Sequence, residues 1–402
     1  MNKNVLIIGS PNYANRRILH ECKKIGLNCM ITEPKHFILS VSDQVGNDKI
    51  YYKGKRIYKN SIDFIIVRVG HDFLTGKKVV EHLTNNLGIP STATSIGMES
   101  ASDKFLSSQV LSANKVMTPK AVHFKETSEY SLLKRLVGGS KFVVKLLTGS
   151  QGAGVFIVND DESGSTALST VSKIRQVVLQ QYIETAKKDE NKSDIRAFVV
   201  GGKVVAAMRR YSIKGDFRSN YSISKTATSV KLTEDQNKLA IDAANAFGLA
   251  IAGVDIITDI NTGINYVLEI NSNPGMGIIK VTGINIPKYI AEVAKTHKIE
   301  NNKLRLLNAY ESSPDAEMAI EFERKNMFNK MDEPAFSFND DNDQGLNENA
   351  EMPENDKEQE LSIIHDNEKS FMTKFKSVLI KDNQYSLALT ERDLLVMSIR
   401  GL

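Results

Sequence analysis

A chain of 402 residues with 41% hydrophobic content is long enough for two or three domains with filled cores. It holds no run of 18 apolar residues, so no transmembrane helix and no membrane partner are expected. Cys22 and Cys29 are its two cysteines, and without a Cys or His cluster around them they argue against a thiolate metal centre and fit a reducing compartment. The N-terminal MNKNVLIIGS passes straight into a strand pattern with no small-residue cleavage site, so it reads as mature structure in a cytoplasmic protein rather than as a signal peptide. Between Met331 and Glu368, 13 Asp and Glu stand against one Lys, a local charge of −12, so the rest of the chain carries +16 within the net +4. A basic body with an acidic tail points to anionic ligands: nucleotide, acidic peptide or nucleic acid.

In chain order, Val5 to Gly9 reads as a buried strand ending in the turn Gly9-Ser10-Pro11-Asn12. A helix over Arg16 to Lys24, a strand over Asn28 to Thr32, a hairpin over Ile50 to Tyr58 and a strand over Asp63 to Val69 follow, then a helix near Gly76 to Asn86. Alternating strands and helices predict an open α/β domain over 1–97. Its first turn lacks G-x-G-x-x-G, so no dinucleotide fingerprint is present. A helix over Ser102 to Ala113 and a short one over Ser128 to Leu136 belong with two strands to a central domain over 98–184. In the third domain, 185–311, Gly201-Gly202 joins the strands Ile195–Val200 and Val204–Met208 as a tight hairpin. Thr233 to Phe247 is a helix with acidic residues at its positive end and Gly248 closing it. Ala252–Ile257 and Tyr266–Ile270 pair around Asn261-Thr262-Gly263, and Ile286 to His297 is a last helix. The acidic stretch within 312–370 has the composition of a disordered segment, and 371–402 recovers some apolar spacing.

Lys141 to Val158 is the stretch richest in chemistry. Two β-prone runs, Phe142-Val143-Val144 and Val155-Phe156-Ile157-Val158, flank a turn whose Gly149, Gly152 and Gly154 permit positive φ and close backbone approach. Such a turn is either an ordinary hairpin or a phosphate cradle with Lys145 beside it; it is no Walker loop, since a strand follows. Farther on, Asp255 lies in one apolar strand, while Glu269 and Asn271 lie two apart in another and so face one side. Unpaired carboxylates are costly to bury among apolar residues, and three oxygen ligands of this type suit Mg2+ with nucleotide phosphates.

At this point the chain resembles the RimK-type ATP-grasp ligases, the alpha-L-glutamate ligase family, over about residues 3 to 295. The resemblance runs through Tyr52-Lys53-Gly54, Val67-Arg68-Val69-Gly70, Asp103-Lys104, Phe142-Val143-Val144-Lys145 and Gly149-Ser150-Gln151-Gly152-Ala153-Gly154-Val155. It continues through Asp194-Ile195-Arg196, Val204 to Arg210, Gly215-Asp216-Phe217-Arg218-Ser219-Asn220, Ala252-Gly253-Val254-Asp255 and Glu269-Ile270-Asn271. It implies an α/β chain of ATP-grasp architecture: an N-terminal open α/β domain, a central α+β lid and a C-terminal domain that grips ATP against the lid. Lys104 and Lys145 match phosphate-contacting lysines, and Ser150, Gln151 and Gly152 match the loop over the triphosphate. Gln180, Gln181, Tyr182 and Ile183 match the adenine-lining segment, and Asp194 a nucleotide contact beyond it. Arg218, Ser219 and Asn220 match positions near the phosphates and the reacting carboxylate, with Lys145, Arg218 and Asn220 as the catalytic set. Asp255, Glu269 and Asn271 match the ligands of Mg2+ (or Mn2+), two ions in the implied pattern.

The implied reaction is ATP-dependent activation of a carboxylate as an acyl phosphate, followed by attack of an amine. The implied partners are ATP, an amino acid such as glutamate, and the C-terminus of an acidic peptide or protein, ribosomal proteins included; the chain itself is implied to be a homo-oligomer. Arg209, Arg210 and Arg68 are then candidates for a substrate carboxylate, against the plainer reading of solvated surface arginines. The sequence departs from the family at Gln181, where Glu is common, and over Tyr221 to Thr226, where a His-Arg-Gly-Gly stretch is usual, which bears on the substrate more than on the reaction. The competing class is a non-catalytic nucleotide-dependent protein acting on RNA or ribosomes through the +16 body.

Overall fold

The computed structural model describes residues 3–43, 47–125, 129–147, 155–161, 164, 165, 168, 176–186, 193–212 and 226–296. Strands β1 (Asn4–Ile8), β2 (Asn28–Thr32) and a later strand over Phe64–Val67 form a parallel sheet with β1 in the middle. Helix α1 (Tyr13–Lys24) joins the first two, and the Asn12 side chain caps it by accepting from the Asn15 N–H. A small antiparallel sheet holds β3 (Phe37–Ser40), β4 (Lys49–Tyr52) and β5 (Lys55–Ile57), so the Phe64–Val67 strand is β6. The β4–β5 hairpin is the one read from Ile50 to Tyr58, turned at Lys53 (φ 49°) and Gly54 (φ 78°). Strand β3 is an addition to that reading, since only one of its alternate residue sets is apolar and it is half-exposed throughout.

Helix α2 (Phe73–Glu81) runs on into a π turn over His82–Asn86. Helix α3 (Ser95–Ser102) is an addition to the sequence reading, and the helix expected over Ser102 to Ala113 is α4 (Lys104–Ala113). Asp103 between them is extended and caps α4, its Oδ1 accepting from the N–H groups of Phe105 and Leu106 at 2.9 and 2.8 Å. The cap starts α4 at Lys104 and so fixes where that lysine stands.

The central sheet is antiparallel, in the order β7 (Ala121–Phe124), β10 (Val177–Gln181), β8 (Phe142–Leu146), β9 (Val155–Val158), with α5 (Tyr130–Val137) against it. Its core is its own: Leu133, Val137, Phe142, Val144, Val158, Leu168, Val177 and Leu179. The last sheet has five antiparallel strands in the order β13 (Ala227–Ser229), β12 (Lys203–Tyr211), β11 (Ser193–Val200), β14 (Ile251–Thr258), β15 (Asn265–Asn271). Gly201 and Gly202, with φ of 57° and 73°, make the two-residue β11–β12 turn that matches strand twist. Helices α6 (Glu234–Ala246), α7 (Ile278–Thr282) and α8 (Ile286–Thr296) pack around it, and a Thr233–Gln236 capping box starts α6. No helix among the described residues is long and apolar enough to cross a membrane.

The first and last parts of the chain share their interior. Leu6, Ile8, Ile65 and Val67 pack with Ile195, Ala197, Val254 and Ile270, while Val5, Ile7, Phe64 and Ile66 pack with Phe198, Val200, Ile286 and Ile290. Alternate residues of β1 and β6 thus enter two cores, one on each face, and this is why both strands read as unbroken apolar runs. Gly97 of α3 is one point of closure, since a Cβ there would lie 2.3 Å from the carbonyl oxygen of Phe247 at the end of α6. By helix propensity alone Gly97→Ala would stabilise α3 by about 1 kcal/mol. Because the obstacle is backbone, we expect the opposite sign, a loss of about 1–3 kcal/mol in denaturant unfolding.

Candidate active site

The register of the five-stranded sheet collects charge on one face. Asp255 stands opposite Glu269 across β14 and β15, Gly253 opposite Asn271, Arg196 opposite Asp255, and Asp194 opposite Arg210. With side chains alternating along each strand, Asp194, Arg196, Arg210, Asp255, Glu269 and Asn271 project to the same side. Asp255 is 4% exposed. Arg196 grips it through Nε to Oδ1 and through Nη2 to Oδ2 at 2.8 Å, and Arg210 Nη2 reaches Oδ2 at 2.9 Å. Arg210 in turn holds Asp194 in a fork, with Nε to Oδ1 at 2.7 Å and Nη2 to Oδ2 at 2.6 Å. Burial by itself would raise the Asp255 pKa, but the charges and hydrogen bonds of Arg196 and Arg210 outweigh it and hold the carboxyl well below the usual carboxylate range. Burial would likewise lower the Arg210 pKa, yet Asp255 and Asp194 together raise it. The lack of a side chain at Gly253 lets this close: a Cβ there would lie 2.8 Å from Pro274 Cβ and 3.1 Å from Arg196 Nη1.

Among the described residues no three His, Cys, Asp or Glu cluster, so the candidate metal set is two carboxylates completed by the Asn271 amide. Its donors are hard oxygens and Asp255 stays ionised, which fits Mg2+. Both sites on Asp255 Oδ2 are taken by arginines, whereas Oδ1 receives only Arg196 Nε and keeps a lone pair.

The central sheet supplies the opposing cations. Lys145 on β8 is 8% exposed, and the Lys104 N–H at the start of α4 donates to the Leu147 carbonyl at 3.1 Å, so the two lysines are drawn together. Burial pushes the Lys145 ammonium down to about 8, with Glu269 opposing, Lys104 adding to the push and Asp255 opposing. Lys145 thus lies within electrostatic reach of both carboxylates. The Lys141 to Val158 stretch is a hairpin with Lys145 paired to Val155, while its turn, including Ser150, Gln151 and Gly152, lies outside the described residues. So do Arg218, Ser219, Asn220, Tyr221 to Lys225 and the segments 312–370 and 371–402.

In the segment matched to adenine, Gln181 is tied to Lys120: its N–H donates to the Lys120 carbonyl at 2.8 Å and its Oε1 accepts from the Lys120 N–H at 3.3 Å. Ile183 is buried, and the Tyr182 ring carries Lys141 Nζ 3.8 Å from its centroid. The neighbouring Gln180, the first residue of the segment matched to adenine, faces the other way. Strand pairing puts Gln180 opposite Val143 and Val178 opposite Lys145, so Gln180 shares a face with Lys145, and its buried Oε1 has no hydrogen-bond partner. Strand alternation sets Gln180 on the Lys145 face and Gln181 on the opposite one.

The arginines considered for substrate part company. Arg210 differs from that expectation, since its guanidinium is committed to Asp194 and Asp255. Arg209 points to the other face and donates to Ser193 Oγ at 3.2 Å. Arg68 is no surface arginine: it is 5% exposed, just past the end of β6, and burial lowers its pKa to about 10. Arg196 was given no role by the sequence, although its place two residues after Asp194 puts it on the same face.

Two stability predictions follow from these charges. With a folded pKa near 8 against 10.5, Lys145 binds fewer protons in the folded than in the unfolded chain across that window, so wild-type stability rises there with pH. Lys145→Met should therefore stabilise the nucleotide-free protein by about 2 kcal/mol at pH 7, a gain that shrinks towards pH 10 in guanidinium unfolding. Asp255→Asn leaves the buried Arg210 and the half-buried Arg196 short of a charge and should cost about 3 kcal/mol. As the depressed Asp255 pKa contributes stability above 3.8, that cost should fade only well below pH 3.8.

Comparison with known proteins gives the family and the fold. Residues 101–294 match the RimK-like ATP-grasp domain. The probable alpha-L-glutamate ligase of Legionella pneumophila (strain Corby) is 33% identical over 283 residues, 70% of this chain and 90% of that protein. That of Halorhodospira halophila is 32% identical over 296 residues, 73% of this chain and 95% of that protein. Among solved structures, the ATP-grasp ligase PsnB complexed with precursor peptide PsnA2 and AMPPNP superposes with a TM-score of 0.57 at 14% identity, over 73% of this chain and 97% of that one. The macrocyclase MdnC bound with precursor peptide MdnA from Microcystis aeruginosa gives 0.55 at 14% identity, over 73% of this chain and 100% of that one. The structural likeness establishes the fold, and the sequence relatives, matched over 90% or more of their length, establish the kinship: this chain belongs to the RimK-like ATP-grasp family.

Proposed function

We propose that this ATP-grasp ligase activates a carboxylate with ATP and joins it to an amino acid, glutamate first among candidates, at the C-terminus of an acidic peptide or protein. Forming a C–N bond with ATP and Mg2+ is common to the family. One observation carries the reading to this chain: Lys145 of the central sheet, with Lys104 of α4 beside it, lies within electrostatic reach of Asp255 and Glu269. Cations on one side and hard oxygen ligands on the other are what a bound triphosphate needs. The names of the curated relatives support glutamate, the precursor peptides in the PsnB and MdnC structures support a peptide acceptor, and the +16 body supports an acidic one. A cytoplasmic location goes with the same reading.

Glu269, Asn271 and the free lone pair of Asp255 Oδ1 would hold Mg2+ or Mn2+, two ions in all, which supply charge neutralisation at the phosphate oxygens. Arg196 and Arg210 keep Asp255 ionised and oriented. Lys145 and Lys104 offset the negative charge that grows as an acceptor carboxylate oxygen attacks the γ-phosphorus and the bond to ADP breaks. The amine lone pair then forms the C–N bond, phosphate departs with the C–O electrons, and the amine gives up a proton. The sheet of β7, β8, β9 and β10 shields the acyl phosphate from water, and Gln180 and the Gln181–Ile183 segment line the base. Arg218, Ser219 and Asn220 complete the set by resemblance.

Incubation with ATP, Mg2+, mixed amino acids and a panel of acidic peptides tests this, with ADP release and peptide mass as readouts. A peptide heavier by an amino-acid residue, formed with stoichiometric ADP, is expected, and Glu269→Gln should lower turnover at least about 100-fold. Unchanged peptide masses and no ADP release across the panel would sink the ligase reading.

A further inference from the structure

The parallel sheet orders its strands β2–β1–β6, so the chain leaves β1 to one side through α1 and fills the other side with β6. The carboxyl ends of β1 and β6 therefore mark a topological switch point, the place where open α/β sheets bind ligands. Gly9 and Arg68 are the first residues past those two ends. Here the backbone is closed tightly: a Cβ on Gly9 would lie 2.4 Å from the Arg68 carbonyl oxygen, and one on Gly70 would lie 3.0 Å from Asn273 Nδ2. Arg68 reaches inward, with Nη2 donating to the Pro274 carbonyl at 2.9 Å and Nε to Asn15 Oδ1 at 3.4 Å. Its Nη1 is buried without a hydrogen-bond partner. Asn273 donates from Nδ2 to the Arg68 carbonyl at 3.4 Å, and its Oδ1 is likewise buried and unpartnered.

A cationic donor and a neutral acceptor are thus orphaned within one small group of residues. Each costs free energy while unmet, and burial depresses the Arg68 pKa. Phosphate would satisfy Nη1 but offers little to an acceptor oxygen. A free α-amino acid offers both halves, a carboxylate for the guanidinium and an amino group for the amide oxygen. Asn273 is two residues beyond Asn271, a span of at most about 7 Å, so an amino group at Oδ1 stands at the edge of the metal-ligand set. A carboxylate clamped by a buried arginine has its lone pairs engaged, which suits the bystander carboxylate of the amine substrate and not the one that attacks ATP.

We propose that Arg68 Nη1 and Asn273 Oδ1 seat the amine substrate of the reaction, a free α-amino acid whose α-carboxylate accepts from Nη1 and whose amino group donates to Oδ1. This rests on the ligase reading and names the place and chemistry of its second substrate. Calorimetric titration of the full chain with ADP and Mg2+ present tests it, using the common L-amino acids and then the α-amide and the N-acetyl derivative of any that bind. Either derivative should bind at least about tenfold more weakly than its parent. In Arg68→Gln the difference between parent and α-amide should vanish, in Arg68→Lys part of it should return, and ADP affinity should stay as in the wild type. Asn273→Ala should keep the α-amide difference and lose the N-acetyl one, which decides the matter even where Arg68→Gln does not fold. Binding of no amino acid, equal binding of the N-acetyl form, or an α-amide difference that survives Arg68→Gln overturns the proposal. Failure of the ligase reading shows separately, as absent ADP release in an assay this titration does not use.

Discussion

Keeping one buried carboxylate ionised is the constraint on which the candidate site depends. Asp255 sits in the middle of the five-stranded sheet, 4% exposed, where a lone carboxylate would take up a proton. The antiparallel register prevents that by setting Arg196 directly across from it and Arg210 one strand farther on, with Asp194 holding Arg210 in turn. Such networks add little net stability, because desolvation consumes most of the Coulomb gain. Their effect here is one of position: every member has its partner, so the oxygen left with a lone pair is fixed in place before any ligand arrives.

The cation that faces this set is held by different means. Lys145 belongs to a sheet with its own core, whereas the N-terminal and C-terminal elements share two cores and form the body beneath it. The depressed pKa of Lys145 is the mark of a charge that its surroundings do not fully meet. In the proposed reading a triphosphate meets it, so the free energy lost to desolvation in the empty protein is recovered on binding. Separate packing of the central sheet is what allows that cation to be set against the body without either core being rebuilt.

Much of this was legible in the sequence where a local rule and the tertiary outcome coincide. Gly201-Gly202 announces its hairpin, Thr233 its helix start, and the spacing of Glu269 and Asn271 a shared face. What stayed hidden depends on neighbours that are distant in sequence. Asp103 looks like a helix residue until its side chain is seen capping α4, so that it stands between α3 and α4 and belongs to neither. Arg196 looks like any strand arginine until β14 places Asp255 opposite, 59 residues on. Arg209 and Arg210 look alike in a basic run, yet strand alternation sends one to Ser193 and commits the other to two buried aspartates. Charge runs show composition, while only register shows which charges are already answered.

The same distinction separates the buried arginines. Arg196 and Arg210 share two aspartates between them, with each contact supplied by the fold itself. Arg68 is as deeply buried as Arg210 and more so than Arg196, yet its contacts are a backbone carbonyl and an amide oxygen, neither of which cancels its charge. A fold able to place aspartates opposite two arginines to within hydrogen-bond distance has no geometric reason to leave the third without one. An internal carboxylate at Arg68 would remove the orphaned donor at the switch point. Its absence there, beside the orphaned oxygen of Asn273, is what a site needs if the carboxylate is to arrive with the substrate.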